Sequence, residues 1–102
     1  MTYKENRLAA TALQSGATIT IQGFGNSMTP ILSSGQKVLV APITEEIKLK
    51  KRDIVLCKVR GNYYLHLISA RKGNQFQISN NHKHVNGWIT IKNIFGVVTE
   101  RL

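Results

Sequence analysis

Ser27 is the residue of this 102-residue chain best placed to act as a nucleophile. It lies in the segment Gly23–Ile31, after a glycine-flanked approach and before Pro30. Glycine permits a tight backbone and proline fixes the backbone just beyond it, so together they can present a hydroxyl at a rim. The alternative is a strand-to-turn junction in which the Ser27 hydroxyl only hydrogen-bonds its own backbone. The choice between the two depends on whether the chain supplies a base.

His66 is the strongest candidate for that base. A serine hydroxyl is a weak nucleophile until a neighbour takes its proton, and a neutral histidine can do so at pH 7. Strand alternation places His66 on the same side as Tyr64 and Ile68, in a half-buried setting. A histidine there could instead be satisfied by a backbone carbonyl. Among the other groups, a lysine would need burial to serve as base, for which Lys58 is the candidate, and Asp53 is the only aspartate.

A metal centre is a weaker interpretation of the histidines. His82 and His84 lie two positions apart and could join Cys57 or His66 as ligands, but this spacing matches no recognised zinc site. We therefore expect neither a metal nor a cofactor. Cys57 lies inside an apolar run, so we expect a reduced, packed thiol.

The charge of the chain favours anionic partners. Fourteen Lys and Arg residues against five Asp and Glu give a formal charge of +9, which attracts nucleic acid, acidic proteins or lipid headgroups. The densest basic run is a candidate anion-binding segment, or alternatively a solvated turn between two strands; it contains Lys48, Lys50, Lys51 and Arg52. Aromatic side chains could stack on single-stranded nucleic acid or pack in the core. These aromatic residues are Phe24, Tyr63, Tyr64, Phe76, Trp88 and Phe95.

The elements that must position these residues are mainly β-strands. Apolar spacing predicts a helix over residues 2–14, with Gly16 suited to a left-handed cap. Alternating and apolar runs then predict strands at 17–22, 37–41, 53–59, 62–70 and 75–79, with one or two more in 88–99. The turns between the later strands are predicted at 60–62, 72–74 and 86–87. We therefore expect one domain over 1–102, with a helix in 1–15 and a β-domain in 17–100.

The sequence shows no membrane or export signal. No apolar run approaches the roughly 20 residues needed to span a bilayer, and residues 1–7 lead into no signal-peptide core. We expect a soluble protein of the cytoplasm.

Four segments resemble, in order, the motifs of the LexA and signal peptidase superfamily. They are Gly25–Leu32 with Gly35–Val40 (the serine box), Lys51–Leu56, Leu65–Ile68 and Ile94–Val98. The third segment is similar to the branch in which a histidine replaces the lysine base. The resemblance spans roughly residues 23–98.

The resemblance implies a role for several residues. Ser27 would attack a peptide carbonyl and His66 would be the general base, while Asn26, Met28 and Pro30 would belong to the oxyanion and substrate-binding segment. The implied fold is a compact, coiled β-sheet beside which the substrate lies as an added strand.

Departures from the family pattern concern the acidic residues. Gly35-Gln36 stands where the family has Gly-Asp, and the acid that would orient the histidine is missing. Asn80 or Asn86 could accept a hydrogen bond from the imidazole, but neither would stabilise an imidazolium as a carboxylate does.

Two hypotheses about function follow. The chain is a serine peptidase that cleaves an extended peptide, or it is an inactive member of the same fold that binds peptide, protein or nucleic acid. The first predicts the Ser27 hydroxyl within about 3–4 Å of an imidazole nitrogen of His66.

Overall fold

A computed structural model describes residues 6–102 of the chain. Helix α1 covers Asn6–Gln14, and positions 2–5 of the predicted helix lie outside the described residues. The predicted glycine cap is present: Gly16 has φ +97° and its N–H donates to Leu13 O. The N–H of Ala17 donates to Ala12 O, which completes a Schellman motif.

Seven strands follow the helix, and the molecule is mainly β, as predicted. They are β1 (Ile19–Gln22), β2 (Lys37–Pro42), β3 (Ile54–Val59), β4 (Asn62–Lys72), β5 (Gln75–Ser79), β6 (Val85–Thr90) and β7 (Ile94–Arg101). A short 3-10 helix, Ile91–Asn93, separates the last two strands. The strands form one curled antiparallel sheet in the order β1-β2-β7-β3-β4-β5-β6.

Both faces of the sheet are covered at its centre, which explains why β3 is almost continuously apolar. Ile54 and Leu56 pack into a cluster that includes the buried face of α1. Val55 and Cys57, on the other side of β3, pack into a second cluster with residues of β5 and β6. The core thus has two halves separated by the sheet.

Cys57 is fully buried, as expected for a packed thiol. Burial raises the pKa of the Cys57 thiol to about 12, so the thiol stays protonated and unreactive at neutral pH.

One predicted turn was wrong. Asn86 and Gly87 have turn composition, but both lie inside β6. The chain reverses earlier, where Asn80 Oδ1 accepts hydrogen bonds from the backbone N–H groups of His82 and His84 at 2.8 and 3.0 Å. The asparagine side chain supplies the bonds that close the loop, and Gly87 instead serves a strand irregularity described below. Among the described residues, no helix is long and apolar enough to cross a membrane.

Candidate active site

Ser27 lies in the loop 23–36 between β1 and β2. The base of the loop is closed by a hydrogen bond from the Gly35 N–H to Gly23 O at 2.8 Å. Met28 and Leu32 are fully buried and fix the loop to the core, whereas Ser27 is partly accessible to solvent. The position of the serine is therefore set by apolar burial of its neighbours.

His66 lies in the middle of β4, directly opposite Val55 of β3. Its side chain is 3% exposed, and its ring stacks on Tyr64 with centroids 4.8 Å apart. The Ser27 Oγ and His66 Nε2 atoms are 3.1 Å apart, within the range expected from the sequence. Residues 39 positions apart are thus in hydrogen-bonding contact.

Asn86 holds the other nitrogen of the His66 ring. Its Oδ1 lies 2.8 Å from His66 Nδ1. Between β5 and β6, Ile78 pairs with Gly87 and Ser79 with Val85, so Asn86 is the extra residue of a β-bulge. A bulge re-aims a side chain, and here it directs the amide at the imidazole. Because the amide oxygen can only accept, Nδ1 carries the proton and Nε2 is left to accept the Ser27 hydroxyl.

The electrostatic setting keeps the imidazole neutral. Burial is the main cause that lowers the pKa of His66 from its usual 6.5 to about 4, and the neighbouring His84 contributes in the same direction. The hydrogen bond that His66 donates to Asn86 raises the pKa instead. His66 is therefore a proton acceptor over the whole neutral and mildly acidic range.

The loop between β5 and β6 holds the serine loop in place through hydrogen bonds. The Asn81 N–H donates to Ser27 O at 2.8 Å, and the Asn81 side-chain amide donates to Thr29 O at 2.9 Å. The His82 Nε2–H donates to Asn26 O at 2.9 Å. These hydrogen bonds could not be predicted from the sequence, because Asn81 and His82 belong to no periodic pattern. The only signal there is a polar run between two predicted strands.

The three residues Ser27, His66 and Asn86 line an open cleft of about 340 Å³. Phe24, 52% exposed, lies at its wall with the backbone of Gly25. Within residues 6–102, no carboxylate lines this cleft, and the Ser27 backbone N–H makes no hydrogen bond to another residue. That N–H is available to a ligand oxygen placed at the serine.

Other residues singled out from the sequence lie elsewhere. Asn80 Oδ1 closes its own loop, and Asn80 does not line the cleft. The Met28 side chain is buried in the core, so of Met28 only the backbone could contact a substrate. Pro30 is exposed but does not line the cleft.

The basic run lies between β2 and β3, away from the cleft. Its four charged side chains are exposed, and the backbone N–H of Lys50 donates to Asp53 Oδ2 at 2.9 Å. The run is therefore a hydrogen-bonded turn whose cations face solvent.

In the described part of the chain, no group of three or more His, Cys, Asp or Glu side chains is arranged to hold a metal ion. No protein-family model matches this chain, and a comparison with curated proteins finds no match either. The site has to be judged from its own geometry.

Proposed function

We propose that this chain is a serine peptidase-like protein that cleaves an extended peptide with Ser27 as nucleophile and His66 as general base. The observation that carries the proposal is the continuous hydrogen-bond chain from Ser27 Oγ through the His66 ring to Asn86 Oδ1, with distances of 3.1 and 2.8 Å. A nucleophile, a base and a group that orients the base are the elements of nucleophilic acyl transfer.

In the first step, the Ser27 hydroxyl oxygen attacks the carbonyl carbon of the scissile bond and its proton passes to His66 Nε2. The new C–O bond converts the carbonyl oxygen into an oxyanion. The unengaged backbone N–H of Ser27 donates a hydrogen bond to that oxyanion. Collapse of the intermediate breaks the C–N bond, and His66 returns the proton to the leaving amine.

The resulting ester of Ser27 is hydrolysed by water in the reverse sense. His66 takes a proton from the water, and Ser27 regains its own proton when the C–O bond breaks. Asn86 keeps the proton of the neutral ring on Nδ1 throughout, but it adds no negative charge to balance the imidazolium. We therefore expect slow turnover compared with a peptidase that has a carboxylate at this position.

The resemblance to the LexA and signal peptidase superfamily supports the same assignment independently of the geometry. It implies a nucleophile at position 27 and a base at position 66, and these two residues are in contact. The open shape of the cleft suits an unfolded segment of polypeptide better than a folded surface.

The experiment that tests the proposal is covalent labelling with a fluorophosphonate. An activated serine oxygen displaces fluoride from phosphorus, so a P–O bond forms, a P–F bond breaks and the proton goes to the base. We expect one adduct, mapped by mass spectrometry to Ser27 and absent from Ser27→Ala. Ser33→Ala, which removes an exposed serine from the same loop, is the matched control and should label fully.

Cleavage of an unstructured polypeptide such as denatured casein completes the test. We expect slow fragmentation by the unaltered protein and by Ser33→Ala, and none by Ser27→Ala. Labelling or cleavage that persists in Ser27→Ala, or that is absent from every protein, would remove the peptidase assignment.

A further inference from the structure

A second cleft, of about 520 Å³, lies between the end of β3 and the end of β6. These two strands are not neighbours in the sheet order, and the curl of the sheet brings them together. They touch at Gly87, where a Cβ atom would lie 3.1 Å from Val59 Cγ1. The cleft lies beside that contact, and its volume falls within the roughly 300–1,000 Å³ of small-molecule and cofactor sites.

Trp88 forms the aromatic wall of this second cleft. It is 43% exposed and is the only tryptophan of the chain. An indole that adds little to the core leaves a large aromatic face open to solvent. Such a face is a platform on which a planar ring can stack.

Two cations, Lys58 and Arg60, line the same cleft. Lys58 Nζ lies 5.3 Å from the centroid of the Tyr63 ring, which is outside the cleft lining, so Arg60 is the cation better placed to bind a phosphate in the cleft. Arg60 is exposed in the turn that follows β3, with φ +50°. No carboxylate is among the described residues that line this cleft, so the charged side chains of its lining are all cations.

Amide and hydroxyl groups complete the lining. Gln75, Thr90 and Asn93 add donors and acceptors beside the indole. An acidic peptide would be drawn to the same two cations, but its carboxylates would make no use of the aromatic face. A nucleotide uses all three kinds of group at once: phosphate on the cations, base on the indole and base edge on the amides.

We propose that the cleft between β3 and β6 binds single-stranded nucleic acid, with a base stacked on Trp88 and a phosphate held by Arg60, while Lys58 adds positive charge nearby. This binding site is separate from the Ser27 cleft and does not depend on peptidase activity. Recognition of this kind tolerates many sequences, because every base has a face that can stack.

The single tryptophan makes the site directly observable. We would titrate the full chain with an oligodeoxythymidylate of about ten nucleotides at low salt and follow the fluorescence of Trp88, with anisotropy of a labelled oligonucleotide as the second readout. We expect saturable quenching of the tryptophan. Arg60→Gln should weaken binding about fivefold and reduce the slope of log Kd against log salt by about 0.7. Trp88→Leu should weaken binding about tenfold by anisotropy, and Trp88→Phe should recover part of the loss.

The matched control is Arg7→Gln, which removes the same charge from α1, a helix that packs against β1, β2 and β7 rather than the cleft. It should change Kd by less than about twofold. Equal weakening by Arg60→Gln and Arg7→Gln, with no effect of Trp88→Leu, would show attraction to net charge alone and overturn the proposal. Absence of binding would overturn it too, as would quenching by an acidic peptide but not by the oligonucleotide. None of these results bears on labelling of Ser27, so the two proposals can fail separately.

Discussion

The two clefts border the same strand, β6, but they are built in opposite ways. The Ser27 cleft contains neutral groups that hydrogen-bond one another, with a histidine that is only 3% exposed. The cleft at Trp88 contains charged and aromatic groups that remain accessible to solvent. Proton transfer needs groups held in fixed geometry and removed from water, whereas attraction of a polyanion needs charge that reaches into water.

A single bulge separates the two environments. Asn86 is the extra residue in β6, and its side chain reaches His66 of β4. Two positions later, Trp88 lines the cleft shared with β3. Without the bulge, strand alternation would place both side chains on one face. The irregularity therefore lets one short strand serve two sites.

The largest effect that separates the clefts should come from His66→Ala. Loss of the general base should reduce the rate of fluorophosphonate labelling and of peptide cleavage by about 10²- to 10⁴-fold. Oligonucleotide binding should be unchanged, because His66 does not line the second cleft. Labelling rates and fluorescence titrations of the same preparation measure both.

His84→Ala is the control for that substitution. His84 is exposed and lines the Ser27 cleft, but it makes no side-chain hydrogen bond to Ser27 among the described residues. Its removal should alter labelling by no more than a few-fold. A loss in His84→Ala as large as that in His66→Ala would transfer the base to position 84.

The pH dependence of stability should reveal the buried histidine. The folded protein holds the pKa of His66 at about 4, and the unfolded chain has the usual 6.5. Between these values the unfolded chain binds a proton that the folded protein does not, so stability falls as the pH falls. The contribution of His66 should shrink by about 3 kcal/mol across this window. Urea unfolding at pH 7 and pH 4 measures it.

His66→Leu provides the comparison, since its side chain does not titrate. Its stability should fall less between the two pH values, and the remaining loss belongs to carboxylates and the exposed histidines. Equal losses in both proteins would mean that His66 titrates normally when folded. In that case its burial would not keep it neutral, and its contrast with the exposed cations of the second cleft would disappear.

The sequence predicted the contact between Ser27 and His66 better than it predicted the residues that hold them in place. Ser27 and His66 could be paired because one nucleophile, one suitable base and the order of the family-like segments all pointed to them. The strands could be predicted because their apolar positions repeat with a period of two. The bulge could not be predicted, because Asn86-Gly87 has the composition of a turn. These two residues lie in a strand only because β6 pairs with β5 there.

The second cleft was also beyond the sequence. Trp88, Lys58 and Arg60 were visible as an aromatic and two cations, but Trp88 lies in β6, whereas the two cations lie in β3 and in the turn after it. The strands β3 and β6 are not neighbours in the sheet. Only the curl of the sheet brings them to one place. The curl is the combined result of twist and bulges in several strands, so it cannot be predicted from a local pattern of residues.

Asn86→Asp should sharpen the difference between the clefts by adding the missing charge. A carboxylate on Nδ1 would raise the pKa of His66 above its value of about 4 and stabilise the imidazolium formed during attack. We expect cleavage to accelerate by roughly tenfold at pH 7, and the acidic limb of the rate profile to move to higher pH. Asn86→Ala, which removes the orienting oxygen, should slow cleavage. Acceleration in both variants would contradict an orienting role.

Gly87→Ala should affect both clefts, because Gly87 lies between Asn86 and Trp88. Its φ of +150° is rarely adopted by residues with side chains, and the added Cβ would meet Val59 Cγ1 at 3.1 Å. We expect a loss of about 1–2 kcal/mol in unfolding free energy, with weaker labelling of Ser27 and weaker oligonucleotide binding. Gly73→Ala is the control: it also has positive φ, +61°, but no heavy atom lies within 4 Å of the added Cβ. It should cost about 1 kcal/mol and leave both functions intact. If Gly87→Ala impaired only one function, the backbone of β6 near its bulge would determine the shape of that cleft alone. The shape of the other cleft would then depend on β3 or β4.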